Sequence, residues 1–268
     1  MKIRKPAVAG SFYPGDQAEL KEMIEEFVEP GKKRTKALGV ISPHAGYIYS
    51  GKGAGIVFSR VEIPDDVIIL APNHRGIGAD IALWPEGKWS TPLGEVEVNS
   101  ELAKLISAES DLVEADESAH KSEHSLEVQL PFLQYFKPGF KLVPLCLLRM
   151  SYEQVEELGK AIARAIKRYD QPALIVASSD MSHYLPAQVA KRQDQLALDQ
   201  VLRLDPYGLY STVVKNNISM CGFIPATVML VAAKELGAES AELADYRNSG
   251  EVTGDDREVV AYAAVMVK

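Results

Sequence analysis

Val67-Ile68-Ile69-Leu70-Ala71 is an unbroken apolar run, followed directly by Pro72-Asn73-His74. Such a run marks a strand covered on both faces, as in a parallel sheet with helices on either side. Related runs at Ala37–Ser42, Phe140–Leu147 and Ala173–Ala177 predict further strands. Amphipathic stretches separate them, which is the pattern of βαβ units. Ser50–Arg60 reads as a helix of small residues. Ser125–Phe136 carries Leu126, Leu130 and Leu133 at helical spacing. Ser151 with Gln154 forms a capping box for a helix reaching about Arg168, and Asn99 offers a cap for a helix through about Ser107. Helices are also expected over 188–204 and 206–215, and from Pro225 to Leu236. Short strands at Ile81–Trp84 and Val96–Val98 precede two closing strands, near Ala241–Tyr246 and Glu258–Val267, joined by a Gly-containing turn. The expectation is α/β: a three-layer sandwich around a mostly parallel, mixed central sheet. No repeat or linker divides it, so residues 1–268 read as a single domain.

Composition narrows the function classes. The chain has 268 residues, 47% hydrophobic and 25% charged, ordinary for a globular protein. No apolar run approaches the roughly 20 residues of a membrane span. The start, Met1-Lys2-Ile3-Arg4-Lys5-Pro6, is basic, but no signal-type apolar region follows. Two cysteines, Cys146 and Cys221, cannot build a disulfide framework and fit a reducing compartment, so a cytoplasmic location is expected. A net charge of −8 argues against nucleic acid as a partner. The basic run Lys32-Lys33-Arg34 with Lys36 reads as a solvated loop.

The histidines are the most informative residues. Of five, His44, His74 and His183 each lie a few residues beyond a predicted strand: Ser42-Pro43-His44, Pro72-Asn73-His74 and Ser178-Ser179-Asp180-Met181-Ser182-His183. In open α/β sheets the loops leaving the C-terminal strand ends meet and bind ligands. Three imidazoles far apart in sequence therefore have a mechanical reason to converge, and neutral imidazole is the commonest protein metal ligand. Cys221, in Ser219-Met220-Cys221-Gly222, precedes a predicted helix, where the helix end favours the thiolate. Cys146 belongs to a strand and reads as core. Asp180 is expected to orient an imidazole or line the site.

Two motifs fail on inspection. Gly46-Tyr47-Ile48-Tyr49-Ser50-Gly51-Lys52-Gly53 nearly matches a P-loop, but Gly53 stands where a Ser or Thr hydroxyl is needed, so no nucleotide cofactor is expected. His120-Lys121-Ser122-Glu123-His124 matches an inverted zinc-protease pattern, which requires a helix. The apolar helical spacing begins only after His124. Glu123 and His124 are instead expected to reach the pocket from a loop and, with Tyr47, to support the ligands or face substrate.

Several segments together resemble the Memo family: Ala9-Gly10-Ser11-Phe12-Tyr13, Pro43-His44-Ala45-Gly46-Tyr47, Glu123-His124-Ser125-Leu126-Glu127, Pro131-Phe132, Ser178-Ser179-Asp180 with His183, and Cys221-Gly222. They follow the family's order over essentially the whole chain. The resemblance implies a fold similar to class III extradiol dioxygenases, which are non-haem iron enzymes that open catechol rings. It further implies His44, His74 and Cys221 as metal ligands, with His183 as the acid/base and Asp180 beside it. Where those dioxygenases use a Glu, Cys221 stands here, and two imidazoles with a thiolate suit copper or zinc at least as well as Fe(II).

The resulting expectation is a metal-binding protein, a non-haem iron or copper dependent oxidoreductase acting on a small molecule. A non-catalytic module holding a peptide or small ligand, with Tyr47, Tyr49 and Tyr184 near the histidines, is the alternative. A zinc-dependent hydrolase with Glu123 as base is the third.

Overall fold

A computed structural model describes residues 2–268; Met1, the first residue of the basic start, lies outside the described residues. The strands are β1 (Ile3–Arg4), β2 (Gly39–Ser42), β3 (Asp66–Pro72), β4 (Ile81–Leu83), β5 (Lys88–Thr91), β6 (Gly94–Val98), β7 (Glu114–Ala115), β8 (Lys141–Leu147), β9 (Ala173–Ser178), β10 (Asp180–Leu185), β11 (Ala241–Asn248) and β12 (Val259–Val267). The α-helices are α1 (Gln17–Phe27), α2 (Tyr47–Arg60), α3 (Ser100–Glu109), α4 (Leu130–Phe136), α5 (Tyr152–Tyr169), α6 (Ala187–Leu202), α7 (Pro206–Asn216), α8 (Phe223–Glu235) and the one-turn α9 (Gly250–Thr253).

All twelve strands join one sheet, along the path β1-β5-β6-β8-β3-β9-β2-β12-β10, with β11 against β12 and β4 against β7 and β8. The five central strands, β6 to β2, are parallel. Antiparallel pairs flank them at β5–β6, β2–β12 and β12–β10. The result is a mixed α/β fold with a large central sheet between helices.

The apolar run at 67–71 shows why two helical layers are required. All seven residues of β3 are buried. Successive side chains point to opposite faces. Ile68 and Leu70 pack with Leu102 of α3, Leu158 of α5 and Met229 of α8. Val67, Ile69 and Ala71 pack on the other face with Leu20 of α1, Val57 of α2 and Phe132 of α4. Each such fully buried side chain contributes about 1.5–3 kcal/mol relative to exposure. No described helix is long and apolar enough to cross a membrane.

Local signals place several ends correctly. Ser151 and Gln154 form the reciprocal cap of α5, and the Asn99 side chain accepts from the Leu102 N–H at the start of α3. Others differ. α2 begins at Tyr47, ahead of the expected Ser50. The stretch Ser125–Phe136 is not one helix: a single 3-10 turn, Glu127–Gln129, comes first and α4 starts at Leu130. The buried side chains of Ser125, Glu127 and Gln129 bond to other segments there, to the Pro72 carbonyl, the Tyr13 hydroxyl and the Pro43 carbonyl. α8 opens at Phe223, with Pro225 inside the first turn where no intrahelical N–H is needed. The closing strands are separated by α9 as well as a turn.

Candidate metal centre

β2, β3 and β9 run in the same direction, so their C-terminal ends share one edge. His44 lies two residues past β2 and His74 two residues past β3. Cys221 arrives from the turn before α8. That turn can lie against the end of β9 because residue 222 is glycine: a Cβ there would collide with the Ser178 carbonyl and the Ser179 side chain. One ligand atom from each of His44, His74 and Cys221 lies within 4.8 Å of the others. Cys221 Sγ stands 3.2 Å from His44 Nε2.

Hydrogen bonds fix which imidazole nitrogen is free. The Ser178 hydroxyl donates its single proton to the Ser125 carbonyl at 2.7 Å. Toward His44 Nδ1, 2.9 Å away, it can therefore only accept. His44 thus carries its proton on Nδ1 and presents the Nε2 lone pair to Cys221. His74 is set the same way, its Nδ1 donating to Glu123 Oε1 at 2.9 Å. A carboxylate or hydroxyl behind each ligating imidazole is the usual support of a metal site.

Glu123 is fully committed. Its carboxylate accepts from the His74 backbone N–H and ring, the His124 and Ser125 N–H groups and the Ser125 hydroxyl. His124 extends the cluster. Its ring stacks on His74 at 4.8 Å and meets Phe12 at a tilt at 4.6 Å, and its Nδ1 is 3.3 Å from Glu123. Arg4 secures this loop from beneath, donating to the carbonyls of His120 and Glu123 and to Glu127. Glu127 also accepts from Ala7, Val8 and the Tyr13 hydroxyl, which ties the segment bearing Phe12 to the site.

Burial governs the protonation states. Burial first, then the neighbouring His74 and His124, hold His44 well below its ordinary value. Burial lowers His124 to about 4, against the opposing pull of Glu123. For Glu123, burial acts to raise the carboxyl, but the His74 hydrogen bond and charge win and bring it to about 2. Burial pushes Asp180 up to about 6, although the His44 N–H bonds to it. The Cys221 thiol moves opposite to the expectation from its helix end: burial, reinforced by Asp180, raises it. Cys221 is partly exposed as a residue, but its sulfur faces His44 and the Asp180 N–H.

Other expected residues fall elsewhere. His183 lies within β10, not in a loop, and is not among the donors grouped within 4.8 Å. Asp180 does not orient it; His183 Nδ1 donates to the Ser219 carbonyl at 3.0 Å, while the Asp180 carboxylate serves the His44 side. Tyr47 is buried, its hydroxyl donating to the Val128 carbonyl and its ring packed on Phe132, so it stands behind the site rather than in it. His120 points away from the cluster, into Trp84 and Trp89, and with His124 shares no helix. Cys146 is core, as expected. The sequence reading missed Ser178 and Gln129, whose amide bonds to Pro43 and Ser178 and joins the strand ends. A serine at the end of a buried apolar run was the available signal.

A cleft of about 400 Å³ opens beside His74 and Cys221, walled by Met150, Tyr210, Phe223 and Ile224 and bordered by Arg149.

Comparison with known proteins supports one grouping. A family model described as Memo-like protein matches residues 4–266. A MEMO1 family protein of Aquifex aeolicus is 45% identical over 269 residues, covering 99% of both chains. One from Pyrobaculum aerophilum is 43% identical, also with 99% of both chains covered. One from Methanothermobacter thermautotrophicus is 40% identical, covering 97% of this chain and 99% of the relative. Among solved structures, an uncharacterized protein from Escherichia coli K12 superposes with a TM-score of 0.60 at 12% identity, covering 87% of this chain and 100% of that one, a likeness of fold alone.

Proposed function

This chain belongs to the Memo family, and from that premise we propose that it is a metal-dependent oxidoreductase in which His44, His74 and Cys221 hold Fe(II) or copper. The observation carrying this reading is the donor geometry: three ligand atoms within 4.8 Å of one another, with both Nδ1 atoms already engaged by Ser178 and Glu123. The donor set fits such an ion, since two neutral imidazoles and a thiolate suit a first-row metal with accessible redox states. When bound, that ion supplies Lewis acidity and one-electron chemistry to a small ligand.

The remaining chemistry belongs to the chain. Burial keeps the His44 ring neutral, so its lone pair is available at neutral pH. Cys221 must shed its proton to act as a ligand. His183, with Nδ1 turned to Ser219, offers Nε2 as an acceptor for a substrate proton. Asp180 sits against His44 and Cys221 and stabilises positive charge there. Met150, Phe223 and Ile224 give the open cleft an apolar wall for the body of a small ligand. A cytoplasmic setting is part of the proposal, because a thiol ligand needs a reducing compartment.

The zinc-hydrolase alternative requires Glu123 as a free base, whereas its carboxylate oxygens already accept from the His74 ring and N–H, the His124 and Ser125 N–H groups and the Ser125 hydroxyl. The peptide-module alternative loses Tyr47, which is core. The test is metal content after anaerobic reconstitution with Fe(II) or copper. Wild-type protein is expected to retain a stoichiometric ion and His44→Ala none. Oxygen uptake with catechols and small thiols, compared with metal-free protein, then tests turnover. Full metal retention in His44→Ala defeats the proposal.

A further inference from the structure

We infer that the cleft beside His74 and Cys221 selects small molecules whose apolar body ends in an oxyanion, a carboxylate or phosphate group, and that Arg149 recognises that end. The inference rests on the metal reading above, which places the reactive end of the ligand at His74 and Cys221.

β8 lies beside β3 in parallel, with Leu147 opposite Pro72, and the Asn73 N–H donates to the Leu147 carbonyl at 2.8 Å. Arg149 therefore leaves the same sheet edge as His74, from the adjacent strand and likewise two residues past its end. It borders the cleft of about 400 Å³ that has His74 and Cys221 at its other end. That volume matches a small ligand rather than a polymer.

Met150, Phe223 and Ile224 give the cleft an apolar body, and Tyr210 spends its hydroxyl on the Met150 carbonyl. Arg149 supplies the lining its one permanent charge. Among the described residues its guanidinium makes no hydrogen bond and no ion pair; Arg34, Arg75, Arg192 and Arg203 also lack a carboxylate partner, but only Arg149 lines this cleft. An unpaired guanidinium at the rim of an apolar cleft presents a planar fork of N–H donors that matches an oxyanion. Two features reinforce the local sign. Arg75 follows His74 directly and uses only its Nε, on the Ser122 carbonyl. The N-terminus of the 13-residue helix α8 forms part of the wall, with the positive end of its dipole there. With a net charge of −8 the chain as a whole repels anions, so these groups act only at short range.

The experiment uses the cobalt(II)-loaded 268-residue protein and three metal-chelating probes: benzohydroxamic acid, whose ring carries no charged group, and its 4-carboxy and 4-phosphono derivatives. Binding is followed by calorimetry and by the visible spectrum of the bound cobalt. At least one anionic probe is expected to bind about ten-fold tighter than the uncharged one, and Arg149→Gln, an exposed loop change, is expected to bring that preference below about two-fold. The tighter of the two anionic probes names the headgroup. Equal affinity for all three probes, or a preference that survives in Arg149→Gln, overturns the inference while leaving the metal reading intact. Failure of the protein to take up cobalt, Fe(II) or copper, or binding of the uncharged probe that ignores the metal, overturns both.

Discussion

The Ser178 hydroxyl accepts from His44 Nδ1 at 2.9 Å and has no proton left to give it. One serine thus chooses the tautomer of a buried imidazole and aims the other nitrogen at Cys221. Ser178→Ala removes that choice while leaving the Gln129 amide its bond to the Pro43 carbonyl. Metal affinity is expected to fall about 10–100-fold, as for other outer supports of metal ligands. Chelator competition measures it, and unchanged affinity would show that His44 needs no such support.

Proton release gives a second prediction. With burial and Asp180 raising the Cys221 thiol, the metal-free protein carries that proton at pH 8. Metal binding should release about one proton per ion, and Cys221→Ala about none. Calorimetry in buffers of different ionisation enthalpy reads the number directly. Release of no proton by the wild type would place the sulfur outside the ligand set.

His120 predicts a pH dependence of stability. Burial between Trp84 and Trp89 lowers it to about 4 from an ordinary 6.5. Below pH 6.5 the unfolded chain takes up a proton that the folded chain refuses until about 4. Stability from this group is therefore full above 6.5, declines as the pH falls, and levels off near 4, a total of about 3 kcal/mol. Urea unfolding of metal-free wild type and His120→Gln across pH 7 to 4 tests it. The variant's curve should be flatter by about that amount.

The Arg4–Glu127 pair is buried on both sides, at 2.6 Å. Arg4→Met leaves an uncompensated carboxylate and should cost about 3–5 kcal/mol in urea unfolding. The Arg4→Met/Glu127→Gln double variant should cost less than the sum of the two single ones. Additive costs would mean that the two groups act separately.

What could be read from the sequence follows physical lines. Buried parallel strands announce themselves by unbroken apolar runs, and the residues just past them, His44 and His74, were legible for that reason. Asp180–Leu185 was not, because Met181 is buried while His183, Tyr184 and Leu185 are partly or largely exposed. Its pairing with β12 is interrupted by two register shifts, which no alternation pattern records. Reading it as a loop coupled Asp180 to His183, whereas the fold couples Asp180 to His44. The helix-end argument for Cys221 named a true influence, but desolvation outweighed it. Tyr47 opens α2 and turns its hydroxyl to the Val128 carbonyl, behind the site, an orientation that its sequence position beside His44 does not reveal.

The edge that carries His44 is completed late. β2 pairs on one side with β12, Ile41 opposite Val265, and Cys221 follows His44 by 177 residues. Both imidazole loops therefore come early in the chain, and the sulfur that stands beside them in space comes late. A ligand of the proposed centre would reach it from the side where the His74 side chain keeps 31% of its surface open to solvent.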